Sequence, residues 1–185
     1  MILTADIGNS YLKMRYFDDN EKIIKSYDYT ISEALNLNPA DFPLPKKAIF
    51  SDVSEKLHHF AEYFIEKGVK TLKMQSDLRL PVKICYKTPN SLGQDRLAAV
   101  CGAVSKFPNK NILIIDAGTA ICFDFVDENA NYLGGNISPG IDLRFKSLNN
   151  YTSKLPLLNK NYKFVEIADN TELAVASGVL NGVLY

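Results

Sequence analysis

The chain opens on a two-residue alternation of apolar and polar positions. Ile2 to Ile7, Tyr11 to Phe17 and Lys22 to Tyr29 are rich in β-branched and aromatic residues. The turn formers Gly-Asn-Ser and Asp-Asp-Asn-Glu separate them, which predicts a three-stranded meander. A Pro-rich passage (Pro39, Pro43, Pro45) follows, and then a further predicted strand, Ala48 to Ser51. Here the period changes. Leu57, Phe60, Ala61, Phe64 and Ile65 recur at helical spacing, with Ser54 placed to cap a helix beginning near Glu55. Gly68 is placed to stop that helix before a strand from Val69 to Met74, completing a strand–helix–strand unit.

Val82 to Tyr86 predicts another strand, and Pro89-Asn90-Ser91 leads from it into a second amphipathic helix. Leu97, Val100, Cys101, Val104 and Phe107 form its apolar face, and Pro108 ends it. Asn111 to Ile115 then reads as a new strand with Ala120 to Val126 as its partner, so the strand pattern restarts. Phe123 and Phe125, flanking Asp124, read as core residues of that strand. Gly134-Gly135 and Pro139-Gly140 mark close approaches or turns. Leu173, Ala174, Val175, Val179, Leu180, Val183 and Leu184 predict a helix still in progress where the sequence reaches Tyr185. The pattern is that of an α/β chain in two halves, 1–109 and 110–185.

Composition removes several function classes. Lys plus Arg number 21 and Asp plus Glu number 21 among 185 residues, so no surplus cation drives binding to nucleic acid or to an anionic membrane surface. Apolar runs such as Ile112 to Ile115 fall far short of the roughly 20 residues that cross a bilayer. The start, Met-Ile-Leu-Thr-Ala-Asp, has no basic region ahead of a long apolar stretch, so a cytoplasmic location is expected. Cys85, Cys101 and Cys122 are odd in number and lack CxxC spacing, as expected for small apolar residues in a reducing compartment. Adjacent helix residues such as His58 and His59 point about 100° apart and do not share one metal ion.

Two short segments carry the chemistry. Asp6-Ile7-Gly8-Asn9-Ser10 ends the first strand of the chain, and Asp116-Ala117-Gly118-Thr119-Ala120 ends the first strand after the restart. One Asp-x-Gly is an ordinary hairpin turn, but two in matching positions suggest paired phosphate loops. Glycine lets backbone N–H groups approach a phosphate, hydroxyls add donors, and a nearby carboxylate suits hydrated Mg²⁺. Facing loops from two halves would clamp a nucleoside triphosphate. Lys13 shares a side of its strand with Tyr11 and is either a complement to phosphate charge or a solvated edge lysine. Asp95, in the first turn of a helix after Gly93, is either a general base or a charge stabilising the helix terminus. Arg96 is either a bidentate partner for an acidic substrate or an ordinary ion-paired arginine.

Taken in order, four segments resemble type III pantothenate kinase across nearly the whole chain. They are Asp6-Ile7-Gly8-Asn9-Ser10 through Phe17, Tyr86-Lys87-Thr88-Pro89-Asn90-Ser91-Leu92-Gly93-Gln94-Asp95-Arg96, Asp116-Ala117-Gly118-Thr119, and Gly134-Gly135-Asn136-Ile137-Ser138-Pro139-Gly140. The resemblance implies two RNase H-like halves of the actin, Hsp70 and sugar-kinase superfamily around a nucleotide cleft. It also implies transfer of the γ-phosphate of ATP to pantothenate, giving 4′-phosphopantothenate, the first step of coenzyme A synthesis. By the same resemblance Asp6, Ile7, Gly8, Asn9, Ser10, Tyr11, Leu12 and Lys13 match the first ATP loop, and Thr119 the second. Asp6 would also hold Mg²⁺ through water, and Asp116 matches the position associated with a monovalent cation, K⁺ or NH₄⁺. Tyr86, Gly93, Gln94, Asp95 and Arg96 match the pantothenate site, with Asp95 as proton acceptor. Thr171 matches a substrate contact supplied by the neighbouring subunit, which implies a homodimer.

This sequence departs from the family at Ser10, where Thr is frequent, and at Gln94, where a small residue is frequent. Family members usually continue beyond the equivalent of Tyr185 with a Gly-rich adenosine-binding segment, so the second half is expected to be incomplete. Two other readings stay open: a non-catalytic regulatory relative of the same fold, and a kinase or phosphohydrolase acting on another small hydroxyl compound.

Overall fold

The computed structural model describes residues 1–184. The meander is present as β1 (Ile2–Ile7), β2 (Tyr11–Phe17) and β3 (Ile23–Thr30), and the sheet is completed by β4 (Lys47–Asp52) and β5 (Lys70–Lys73). Strand order is β3-β2-β1-β4-β5. The first two neighbour pairs are antiparallel, and β4 runs parallel to both β1 and β5. Alternation sends Leu3, Ala5, Ile7, Leu12, Met14 and Tyr16 to one face. There they are buried with Phe42, Phe60 and Phe64 beneath α1 (Ile31–Ala34) and α2 (His58–Glu66). Each large side chain so buried contributes roughly 1.5–3 kcal/mol. Burial also pushes the Tyr16 hydroxyl pKa well above its ordinary value, and that hydroxyl donates to the Pro43 carbonyl at 3.0 Å.

The α2 helix begins later than its sequence suggests. Asp52 Oδ1 accepts from the backbone N–H groups of Ser54 and Glu55 and from the Ser54 hydroxyl. That Asx turn holds residues 52–55 out of helix, so Leu57 occupies the N-cap without a side-chain cap. Ser54 is therefore not the cap, and Ile65, expected on the apolar face, is half exposed. The short α1 is better terminated. Thr30 Oγ1 accepts from Glu33 N–H while the Glu33 carboxylate accepts from Thr30 N–H, a complete capping box.

A second sheet contains β6 (Lys83–Ile84), β7 (Ile112–Ala117), β8 (Ala120–Val126) and β9 (Asn131–Pro139) in the order β6-β9-β8-β7. Of the Gly134-Gly135 and Pro139-Gly140 pairs, read from the sequence as close approaches or turns, the first lies within the nine-residue β9 and the second at its end. Helix α3 (Gln94–Lys106) buries Leu97 and Val100 among Leu92, Val126 and Tyr132. Phe107, expected on that face, lies past the helix end and is half exposed. Two further helices follow: α4 (Ile141–Tyr151), which the apolar pattern did not announce, and α5 (Thr171–Leu184), which it did. They bury Phe145, Val175, Ala176, Val179 and Leu180 together with Leu158.

The polypeptide forms two compact units, Met1–Ile114 with Asp124–Gly134, and Ile115–Phe123 with the chain from Gly135 onward. Among the described residues no helix is long and apolar enough to cross a membrane.

Candidate active site

In the first unit, the β1–β2 turn is closed by Gly8 N–H donating to the Tyr11 carbonyl at 2.9 Å. Its far side is tied down where the Ser10 carbonyl accepts from Ile31 N–H, at the start of α1, at 3.0 Å. This leaves Asn9, Ser10 and Tyr11 exposed on an anchored turn. Asp6 pairs in register with Lys13 of β2 and with Ser51 of β4. In-register neighbours share a face of the sheet, so these three side chains lie opposite the apolar layer of Leu3, Ala5 and Ile7. Lys13 also stands opposite Asp28 of β3, but the Asp28 carboxylate is held bidentately by Arg15 at 2.7 and 2.9 Å.

A hydrogen bond ties the start of α3 to the first sheet. Gln94 Oε1 accepts from Asp52 N–H at 3.1 Å, fixing the helix at the end of β4. Asp95, the next residue, is half buried, and its Oδ1 accepts from Arg96 N–H at 2.8 Å. Gly93 at the N-cap makes room for it, since a Cβ there would stand 2.6 Å from Asp95 Oδ1. The helix-terminus reading of Asp95 is thus present as a hydrogen bond. The carboxylate satisfies a first-turn donor and remains on a preset backbone.

Arg96 is 5% exposed and turns inward onto Asp124, which is 1% exposed. Arg96 Nε lies 3.1 and 3.2 Å from the two carboxylate oxygens and Nη2 lies 2.5 Å from Oδ1. Tyr132 donates its hydroxyl to the same Oδ1 at 2.6 Å. Tyr86 stacks on Tyr132 at 6.3 Å between ring centroids, and the Arg96 guanidinium lies 5.9 Å from the Tyr86 ring centre. Hydrogen bonding to Asp124 pushes the arginine pKa further up, and burial, then Asp124, does the same for the Tyr132 hydroxyl. Arg96, Asp124 and Tyr132 thus form a buried network in which one carboxylate accepts from both the guanidinium and the hydroxyl.

Asp124 and Tyr132 were missed in the sequence, and Phe125 was misjudged: it is half exposed while Asp124 is buried. The clue was parity, because Asp124 shares its strand face with the buried Cys122 and Val126. An acid on the buried parity of a strand requires a cation partner. Arg96 is that partner, so its Nε and Nη2 edge is occupied within the protein.

In the second unit the turn between β7 and β8 is closed by Gly118 N–H donating to the Ala120 carbonyl at 2.8 Å. Gly140, the N-cap of α4, donates its N–H to the Thr119 carbonyl at 2.9 Å. A Cβ at Gly140 would stand 2.2 Å from the Gly118 carbonyl oxygen and 2.6 Å from that of Thr119, so only glycine permits this approach. Arg144, one turn along α4, braces the same corner by donating to the Pro139 carbonyl, the Ser138 hydroxyl and the Gly182 carbonyl of α5. Asp116 and Thr119 are exposed on this braced turn. Thr171 is exposed at the first position of α5, a helix capped by Asn170 Oδ1 accepting from Leu173 N–H. The predicted residues thus fall into two groups. Asp6–Lys13, Tyr86 and Gly93–Arg96 belong to the first unit, and Asp116, Thr119 and Thr171 to the second.

The family model for type III pantothenate kinase matches residues 2–185. The type III pantothenate kinase of Christiangramia forsetii is 39% identical over 185 residues, covering 99% of this chain and 76% of that one. That of Flavobacterium johnsoniae is 38% identical, covering 100% and 76%. The chain belongs to the type III pantothenate kinase family.

Solved structures agree on the fold of this family member. A Campylobacter jejuni protein assigned to the Baf family of transcriptional activators superposes with a TM-score of 0.62 at 24% identity, over 98% of this chain and 75% of that one. A Sinorhizobium meliloti protein assigned as a 2-dehydro-3-deoxygalactonokinase gives 0.50 at 11% identity, over 82% and 57%. Both likenesses are of fold, an α/β architecture shared over most of this chain.

Proposed function

We propose that this protein phosphorylates pantothenate with ATP, giving 4′-phosphopantothenate at the entry to coenzyme A synthesis. The family match across residues 2–185 carries this reading. Phosphoryl transfer asks a protein mainly for positioning and for charge stabilisation, with one carboxylate to take the hydroxyl proton. Asp95 suits that last role, being half buried on a helix turn that Gln94 ties to β4 and beside a glycine that leaves its carboxylate room. Tyr86, Gly93, Gln94 and Arg96 frame the acceptor alongside it. Because the Nε and Nη2 edge of Arg96 is committed to Asp124, its part is to lie over the Tyr86 ring and to donate its backbone N–H to the Asp95 carboxylate rather than to present that edge to the substrate carboxylate.

ATP is assigned to the turn from Asp6 to Lys13 and to Thr119. Bound Mg²⁺ supplies charge stabilisation on the phosphates. Among the described residues no three His, Cys, Asp or Glu side chains converge as a metal cage. Asp6, an exposed carboxylate near the end of β1, would hold a hydrated Mg²⁺ through its waters. Asp116, exposed at the end of β7, would hold the K⁺ or NH₄⁺. Thr171 contacts substrate across a homodimer, the two sequence halves divide at 109/110, and the enzyme works in the cytoplasm.

Mass-spectrometric detection of 4′-phosphopantothenate after incubation with pantothenate, ATP, Mg²⁺ and K⁺ tests the activity. Product is expected; its absence, with intact fold, overturns the reading in favour of a non-catalytic relative.

A further inference from the structure

Ser51 Oγ is the one buried side-chain polar atom without a hydrogen-bond partner among the described residues. The residue is 7% exposed and precedes the last position of β4. Strand register shows where it lies. Ser51 is paired with Asp6 of β1 while Phe50 is paired with Ala5, so Ser51 and Asp6 share the face opposite the apolar layer under α1 and α2. On the other flank β5 ends opposite Phe50, and no ladder partner faces Ser51. What meets the strand there is the first turn of α3, through the bond from Asp52 N–H to Gln94 Oε1. Ser51 therefore sits between the carboxylate assigned to the nucleotide and the helix turn that carries Asp95.

A desolvated hydroxyl with no partner destabilises a fold, and alanine would remove the cost without leaving a large void. Such a group makes physical sense where a ligand completes it. We infer that Ser51 is a further contact residue for the reaction: its Oγ–H donates to a terminal-phosphate oxygen of the nucleotide bound beside Asp6. The inference rests on assigning the nucleotide to the Asp6 turn. The oxygen it addresses is charged, lies between donor and acceptor, and is present in ATP and absent from ADP.

The experiment is calorimetric titration of the protein with Mg²⁺ plus a non-hydrolysable ATP analogue, and separately with Mg²⁺ plus ADP. It compares the parent with Ser51→Ala, Ser51→Thr and Asp6→Asn, alongside the melting temperature of each unliganded protein. Ser51→Ala is expected to raise Kd for the ATP analogue about ten-fold, the scale of one hydrogen bond to a charged group, and to leave Kd for ADP unchanged. Ser51→Thr, which keeps the hydroxyl, restores analogue binding. Unliganded Ser51→Ala melts at or above the parent temperature. Parent-like analogue binding by Ser51→Ala, or an equal loss for analogue and ADP, overturns the inference. Should Ser51→Ala fail to fold, Ser51→Cys, nearly isosteric with a weak donor, replaces it under the same two criteria. If Asp6→Asn leaves both Kd values unchanged, the nucleotide assignment itself falls, and this inference with it.

Discussion

Asp95 and Arg96 are adjacent in sequence and diverge in environment, which is where single-residue predictions bite. With Asp95 as proton acceptor, Asp95→Asn is expected to lower kcat by about 10²–10⁴-fold while pantothenate affinity changes little. Steady-state kinetics with a separate binding titration checks this, and parent-like turnover would remove the assignment. For the Arg96–Asp124 pair, breaking one partner strands a buried charge. Asp124→Asn or Arg96→Met should each cost about 3–5 kcal/mol of stability, with Asp124→Asn also weakening the Tyr132 hydroxyl bond. The double variant Arg96→Met/Asp124→Leu should recover much of that loss, since neither charge then remains uncompensated. Denaturant unfolding of the three variants reads the coupling directly.

At the scale of elements, two helix starts position the chemistry by different means. Gln94 fixes α3 through one side-chain bond to the end of β4, whereas Gly140 fixes α4 by letting its backbone touch the Gly118-Thr119 turn. Gly140→Ala therefore has no cheap relaxation, because the atoms it meets are backbone carbonyl oxygens. It should raise KM for ATP several-fold and lower the melting temperature. Gly93→Ala differs, because the atom it displaces is the movable Asp95 Oδ1. Its expected signature is a fall in kcat of about ten-fold or more with near-parent melting temperature, since the cost falls on alignment of the base rather than on packing. Circular dichroism melts beside kinetics separate the two outcomes.

The whole molecule sets the remaining tests. If a K⁺ or NH₄⁺ ion at Asp116 serves the reaction, replacing both by Na⁺ is expected to lower activity sharply. Unchanged activity in Na⁺ would remove the monovalent cation from the scheme. If Thr171 acts across a homodimer, mixing inactive Asp95→Asn with Thr171→Ala should restore activity above either alone, because one site of each mixed dimer is intact. Absence of that complementation would place Thr171 in its own subunit's site or outside any.

The meander, the β4–α2–β5 unit, the α3 helix and the paired Asp-x-Gly turns were legible in the amino-acid sequence because each is a local matter. Period two against period three to four, and turn residues at fixed offsets, encode these elements within a few residues of chain. The later start of α2 escaped this reading because the Asp52 carboxylate competes for the very N–H groups a helix would use. The continuity of β9 through two glycines escaped it because sheet pairing, not propensity, holds that strand. The partnership of Arg96 with Asp124, the orphaned hydroxyl of Ser51 beside Asp6, and the demand for glycine at Gly140 depend on residues brought together across long stretches of sequence. Which charge is buried, which hydroxyl lacks a partner and which Cβ has no room are properties of neighbours in space, and only the folded chain chooses those neighbours.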